Sequence, residues 1–394
     1  MIGDKVLEFC NNTESCTGCG LCLDICPCYA ISMKEDERGF IYPFVDDSKC
    51  VNCKKCIQNC PQNQTEDKGM VIHRTYAAWN KNRITRKKAS SGSVFSLLAE
   101  MTIRNGGYVA GVQWDFDISP IHTLTNKIDD LSLYSGSKYV QSNTNRVYSK
   151  ILDVLKCGKS VLFSGTPCQN DALRVFLKHD YSNLLQVDLV CHGVPSNSSF
   201  HRYLKEVSKE KRIVGVKFRE KKPFQDYFYF TISYSDGTVD YEYAVNNPFF
   251  QLFNKGFTLR DSCHNCKYTK LNRQADIALA DYWGYVPKSL KMSDFNKGVS
   301  IVAINSKKGE EAFEAIRGKC IYEEQSTEIA TASNKCFRES YSIEVDLQTQ
   351  FWNEYNAGVT YEELLTRFFS NHSRVPKNLF LSRLKRKYRW LIKQ

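Results

Sequence analysis

Near its N-terminus the chain twice writes Cys-x-x-Cys-x-x-Cys-x-x-x-Cys-Pro: Cys16, Cys19, Cys22 and Cys26 before Pro27, then Cys50, Cys53, Cys56 and Cys60 before Pro61. No other feature limits what this segment can become so sharply. Three thiolates at i, i+3 and i+6 wrap three corners of one iron–sulfur cubane, and the fourth, carried off by the proline-directed turn, reaches a second cubane. The expected ligand sets are therefore Cys16, Cys19, Cys22 and Cys60 for one [4Fe-4S] cluster and Cys50, Cys53, Cys56 and Cys26 for the other. Disulfides would need an oxidising compartment, and residues 1–12 show no basic-then-apolar leader. Zinc sites need neither a third Cys at i+6 nor a trailing Cys-Pro. One-electron transfer is the chemistry to expect.

Composition narrows the remaining classes. A chain of 394 residues can hold two or three domains with a substantial core. No run approaches the ~18 apolar residues of a membrane span, so at most a peripheral membrane contact is expected. Seventeen cysteines imply a reducing cytoplasm and, if most carry clusters, an anaerobic one. The formal charge of +11 would ordinarily suggest nucleic acid or an anionic membrane. Each cluster with four thiolates removes roughly two charges, however. Much of the remaining excess lies in residues 373–394, with eight basic residues and no acid. Nucleic acid is not expected as a partner. In that tail Phe380, Leu384, Tyr388 and Leu391 recur at helical spacing, which suits a helix docked on its own domain or one lying at the inner face of the membrane.

The expected fold class is mixed α+β and α/β: a small two-cluster domain over residues 1–66, a mixed-sheet core in two parts (75–157 and 158–330), and a helical extension (331–394). Residues 30–34 and 39–43 read as short strands, and residues 62–69 as a linker. Residues 94–104 have amphipathic helical spacing, capped by Gly106-Gly107. Strands are expected at 108–112, 160–164 and 185–190 and helices at 145–155 and 172–177, an alternation that implies layered α/β structure. Tyr227–Tyr234 and the turn Ser235-Asp-Gly237 read as a hairpin. Helices are expected to dominate after about residue 308.

Six blocks carry a resemblance: Ser90-Ser-Gly-Ser93, Gly136-Ser-Lys-Tyr-Val-Gln-Ser142, Phe163-Ser-Gly-Thr-Pro-Cys-Gln169, Asp188-Leu-Val-Cys-His-Gly-Val-Pro-Ser196, Arg260-Asp-Ser-Cys-His-Asn-Cys266, and Ala275-Asp-Ile277 through Asp281-Tyr-Trp-Gly284. In this order they resemble the beta-subunit family of coenzyme F420 hydrogenases and dehydrogenases, over about residues 5–330 with the ferredoxin-type module included. The resemblance implies an iron–sulfur flavoprotein that binds FAD and exchanges hydride with coenzyme F420 or another small-molecule donor or acceptor. The chain departs from the family pattern at Ser93, where a second glycine is usual, and at Ala280 before Asp281.

Flavin accepts two electrons and releases them singly to clusters, which a nicotinamide does not. No Gly-x-Gly-x-x-Gly follows a strand, so a standard dinucleotide domain is not indicated. The loop Ser90, Ser91, Gly92 and Ser93, helped by Lys88, opens a helix and suits either a plain N-cap or, with the resemblance, the FAD pyrophosphate. Lys138, Tyr139, Gln141 and Ser142 suit ribityl or isoalloxazine contacts. Thr166 and Gln169 lie at a strand's C-terminal end, where α/β layers hold ligands. Cys168, Cys191, Cys263 and Cys266 could assemble a third [4Fe-4S] cluster from distant segments, against buried apolar or zinc-binding alternatives. His192 is the candidate catalytic residue, to protonate or orient, although a lone His after a strand is more often structural. The remaining cysteines, Cys336 among them, read as structural. The expected partner is a ferredoxin or a redox subunit; the rival reading is an electron-relay subunit without a substrate of its own, serving polysaccharide biosynthesis at the membrane.

Overall fold

Four parallel strands set the architecture, because their carboxyl ends all open on one side. The computed structural model describes residues 13–64, 69–221, 228–285 and 297–369. The basic tail and Cys10 lie outside the described residues. The strands are β1 (Ile31–Glu35), β2 (Ile41–Val45), β3 (Arg74–Asn80), β4 (Tyr108–Trp114), β5 (Pro120–Thr125), β6 (Val161–Gly165), β7 (Leu184–Leu189), β8 (Ile213–Lys221), β9 (Phe228–Tyr234), β10 (Val239–Tyr243), β11 (Ile277–Asp281), β12 (Ser300–Ile304) and β13 (Cys320–Gln325). Eight of them form one sheet in the order β13-β3-β12-β11-β7-β6-β4-β5. Within it β4, β6, β7 and β11 run parallel, while β5, β12, β3 and β13 extend the sheet antiparallel. Strands come from both sides of residue 158, so the two parts of the core share one sheet.

The central strands β6, β11 and β12 are mainly apolar runs because helices cover both faces. Every residue of β6 and β12 is buried. Helix Val94–Arg104 supplies Val94, Leu97, Leu98 and Ile103 to one side, at the i, i+3, i+4 spacing of an amphipathic helix. Helices Val147–Lys156 and Pro167–Leu177 cover the other through Tyr148, Ile151, Leu155 and Leu173. The described part of the C-terminal extension is helical, and the departure from the helices expected after about residue 308 comes just before it. Residues 320–325 form β13 on the sheet edge, where Tyr322 packs against Tyr76 and Phe313.

The N-terminal domain is welded to the core. Phe40 and Tyr42 of its β1–β2 hairpin join Phe200, Phe253 and Leu259 in a shared apolar cluster. Arg260, fully buried, donates to the Cys16 carbonyl (2.5 Å), the Ile41 carbonyl (3.0 Å) and Gln141 Oε1 (3.1 Å). Tyr148 Oη donates to the Cys19 carbonyl at 2.8 Å, and Arg38 pairs with Asp261 through both guanidinium arms. Gly18 must be glycine: its φ is +63°, and a Cβ would stand 2.2 Å from Gln141 Nε2.

Candidate redox site

Beyond the carboxyl ends of β4, β6, β7 and β11 lies a cleft of about 310 Å³ that opens to solvent. β6, β7 and β11 deliver lining segments at their ends, Ser164–Gln169, Leu189–Val194 and Leu279–Asp281, and β4 adds Gly111-Val112 from its middle. Side chains at that position converge because neighbouring parallel strands end together, which is why such sheets bind ligands there. Ser90, Ser91 and Ser93 line it beside the Gly136–Ser142 loop, as do Cys263 and Cys266 from the far side. Segments more than 170 residues apart in sequence thus meet in one space.

Several expected contacts are already spent on bracing. Tyr139 Oη accepts from Arg219, which also pairs with Asp281 (2.5 Å). Gln141 accepts from Arg260 and donates to the Thr17 carbonyl, and Gln169 accepts from the Thr166 N–H and donates to Ser142 Oγ. Ser91 Oγ donates to the Val299 carbonyl and the Gly92 N–H to Ser300 Oγ, so this half of the loop clamps β12. Gly92 has no room for a side chain, since a Cβ would sit 2.3 Å from the Ala78 carbonyl. Lys88 is exposed and absent from the lining, because its short helix, Arg83–Lys88, turns Arg86 inward instead. Ser93 caps its helix with φ +67° but makes no capping bond, and its buried Oγ has no partner. Lys138 faces the cleft, donates to the Leu133 carbonyl, and is lowered to about 7 by burial.

The thiols gather in three groups. Cys22 feels Cys19, Cys16 and Cys60; Cys56 feels Cys26 and Cys53; Cys191 feels Cys263, Cys168 and Cys266. Cys19 also feels Cys168, which puts the first group next to the third. Burial raises Cys19, Cys22, Cys56, Cys168, Cys191 and Cys263, and repulsion from neighbouring thiols adds to it: Cys56 and Cys168 reach about 11 and Cys263 about 12. The bare pockets therefore disfavour thiolates, and cationic iron is the group that would reverse the balance. Among the described residues every cysteine is a free thiol, and no three His, Cys, Asp or Glu side chains converge on a single metal ion. Exposure differs between the groups, and Cys168, Cys191, Cys263 and Cys266 are half-buried. Cys50 and Cys53 face solvent, whereas Cys16 is buried. Asp188 and Arg273, both fully buried and doubly hydrogen-bonded, tie β7 to the loop that follows Cys266.

His192 borders the cleft with its ring committed: Nε2 donates to the Phe253 carbonyl at 3.2 Å, and Nδ1 lies 3.8 Å from Cys336 Sγ. Burial lowers its pKa, so the ring is neutral and better suited to orienting than to donating a proton. Cys336, which its sequence context marks as structural, lines the cleft beside it and interacts with Cys266. Only the fold brings residue 336 there, and no local motif announces it.

Residues 158–329 match the family described as the C terminus of the coenzyme F420 hydrogenase/dehydrogenase beta subunit, and residues 15–64 match the 4Fe-4S dicluster domain. Residues 158–329 thus carry that family's C-terminal domain, joined to a 4Fe-4S dicluster domain at the N-terminus. An uncharacterized ferredoxin of Methanocaldococcus jannaschii is 40% identical over 57 residues, covering 14% of this chain and 73% of that protein. In solved structures the chain is similar to one in the F420-reducing [NiFe] hydrogenase complex from Methanosarcina barkeri, at 16% identity and a TM-score of 0.46, covering 80% of this chain and 100% of that one. This beta-subunit relative is thus an iron–sulfur protein of the oxidoreductase type, built for electron transfer. Among the described residues no helix is long and apolar enough to cross a membrane.

Proposed function

We propose that the chain is an iron–sulfur flavoprotein oxidoreductase. It would pass single electrons between an external carrier and FAD in the cleft, and hydride between that flavin and coenzyme F420 or another reducible small molecule. The observation that carries this reading is the adjacency of the Cys16–Cys22 thiols to Cys168, Cys191, Cys263 and Cys266, which line the cleft wall. Clusters move one electron at a time, and flavin pairs two of them with a proton as hydride.

The residues divide the work. The exposed end around Cys50 and Cys53 suits a ferredoxin or partner subunit, and the half-buried end at Cys168, Cys191, Cys263 and Cys266 borders the cleft. Lys138 and the unpartnered Ser93 Oγ are the cleft groups available to an anionic cofactor, with Ser90. Tyr139, Gln141 and Gln169 set the walls, and His192 orients whatever occupies the centre.

Anaerobic purification with iron, sulfide and flavin analysis tests the reading. Twelve iron atoms and one FAD per chain are expected for three four-iron clusters; zinc without flavin would overturn it. Titration with reduced F420, nicotinamides and ferredoxin then identifies the hydride partner. Dye-to-dye electron transfer without reduction of any organic compound would favour the relay reading.

A further inference from the structure

Burying a hydroxyl without an acceptor gives up its hydrogen bonds to water and gains nothing in return. Ser262 is such a residue. It is 8% exposed, and its Oγ is sealed from solvent without a hydrogen-bond partner. It stands in the short helix Asp261–His264 directly before Cys263, and both residues line the cavity shared with Cys168, Cys191 and Cys266. Its flanking residues are fixed on both sides. Asp261 is held by Arg38 at 2.6 and 2.8 Å, and the Cys263 N–H donates to the Arg260 carbonyl at 2.8 Å. Alanine would occupy the position without the penalty, so the hydroxyl calls for an acceptor that enters the cavity with the cofactor.

We propose that Ser262 Oγ donates a hydrogen bond to a sulfur of the core [4Fe-4S] cluster and makes that cluster easier to reduce. The inference rests on the reading that Cys168, Cys191, Cys263 and Cys266 hold such a cluster. Its direction follows from charge: reduction adds one electron to an already anionic group, and a donor to sulfur stabilises the more negative form more strongly. Ser262 is thus a positioning residue for the potential of the last cluster before the cleft. Thr17, one residue after Cys16, presents a second partnerless hydroxyl to the same cavity and stays in place in the test.

The test compares full-length wild type and Ser262→Ala, purified anaerobically, by iron analysis and EPR-monitored redox titration. The variant should keep twelve irons, with one cluster about tenfold harder to reduce, a shift of about 59 mV for one electron. Twelve irons with all potentials unmoved would overturn this inference and leave the core cluster standing. Eight irons in the wild type would overturn the core cluster and the inference with it. If Ser262→Ala alone drops to eight, Ser262→Thr decides: twelve irons at the wild-type potential support the hydroxyl's role, and loss of the cluster or an altered potential refutes it.

Discussion

Replacing Arg260 by methionine should loosen the dicluster domain from the core. The guanidinium is fully buried and makes three hydrogen bonds, two of them to main-chain carbonyls of the N-terminal domain, at Cys16 and Ile41. It also lies over the Tyr42 ring, 4.1 Å from the centroid. Hydrogen bonds from a charged donor contribute about 1.5–3 kcal/mol each, so three give a gross figure of about 4.5–9 kcal/mol. Desolvating the charge costs several kcal/mol. Methionine keeps part of the packing but leaves three buried acceptors empty. The net loss should be about 3–5 kcal/mol, confined to the interface. Anaerobic hydrogen exchange reads this directly as opening free energy. Amides in the segments around Cys16–Gly20 and Ile41–Tyr42 should exchange more than about a hundredfold faster, while those of β6 and β12 stay protected. An acceleration below tenfold at both segments, with clusters intact, would show that Arg260 does not hold the domains together.

Gly92→Ala should displace the loop from β12, because the new Cβ meets the Ala78 carbonyl at 2.3 Å and the Ser300 nitrogen at 2.8 Å. A stability loss of about 1–3 kcal/mol and weaker flavin retention are expected in denaturation and flavin-release assays. His122 is fully buried and held down to about 4 from 6.5, so between those pH values the unfolded chain takes up a proton that the folded chain refuses. That contribution is complete above about pH 6.5 and is lost as pH falls to about 4, by about 3 kcal/mol. His122→Gln should flatten this part of the pH–stability curve, and an unchanged slope counts against the assignment. Cys263→Ser should remove about four irons and slow electron delivery to the flavin while the N-terminal cluster signals persist; unchanged iron content would mean that residue 263 ligates nothing.

Legibility in the sequence follows the range of the interactions. Helix Val94–Arg104 is visible because its buried face repeats every three to four residues. The hairpin of β9 (Phe228–Tyr234) and β10 (Val239–Tyr243) is visible because Asp236-Gly237 marks its turn. β13 falls in a stretch that reads as helical, since an edge strand of six residues takes its identity from pairing with β3, some 240 residues away. The cleft residues are mostly legible as blocks, but their tasks are not. Gln141 and Gln169 look like ligand contacts until their partners, Arg260 and Ser142, are in place. Lys88 looks like a phosphate contact until its helix turns it to solvent. Cys336 offers no signal, because its neighbours in space, His192 and Cys266, are distant in the chain.

The chemistry of the N-terminal domain is written in its residues alone: cluster ligation depends on spacings of three and four residues, a local property that each repeat states in full. The apolar run at β6 likewise marks a covered strand without help from the rest of the chain. Folding was needed to make the strands end together around one cleft and to set Cys19 beside Cys168. It also left Cys50 and Cys53, of the eight thiols in the two repeats, as the ones that face outward. Those facts depend on burial and on contacts between remote segments, which emerge from packing the whole chain and are written in no single stretch of it.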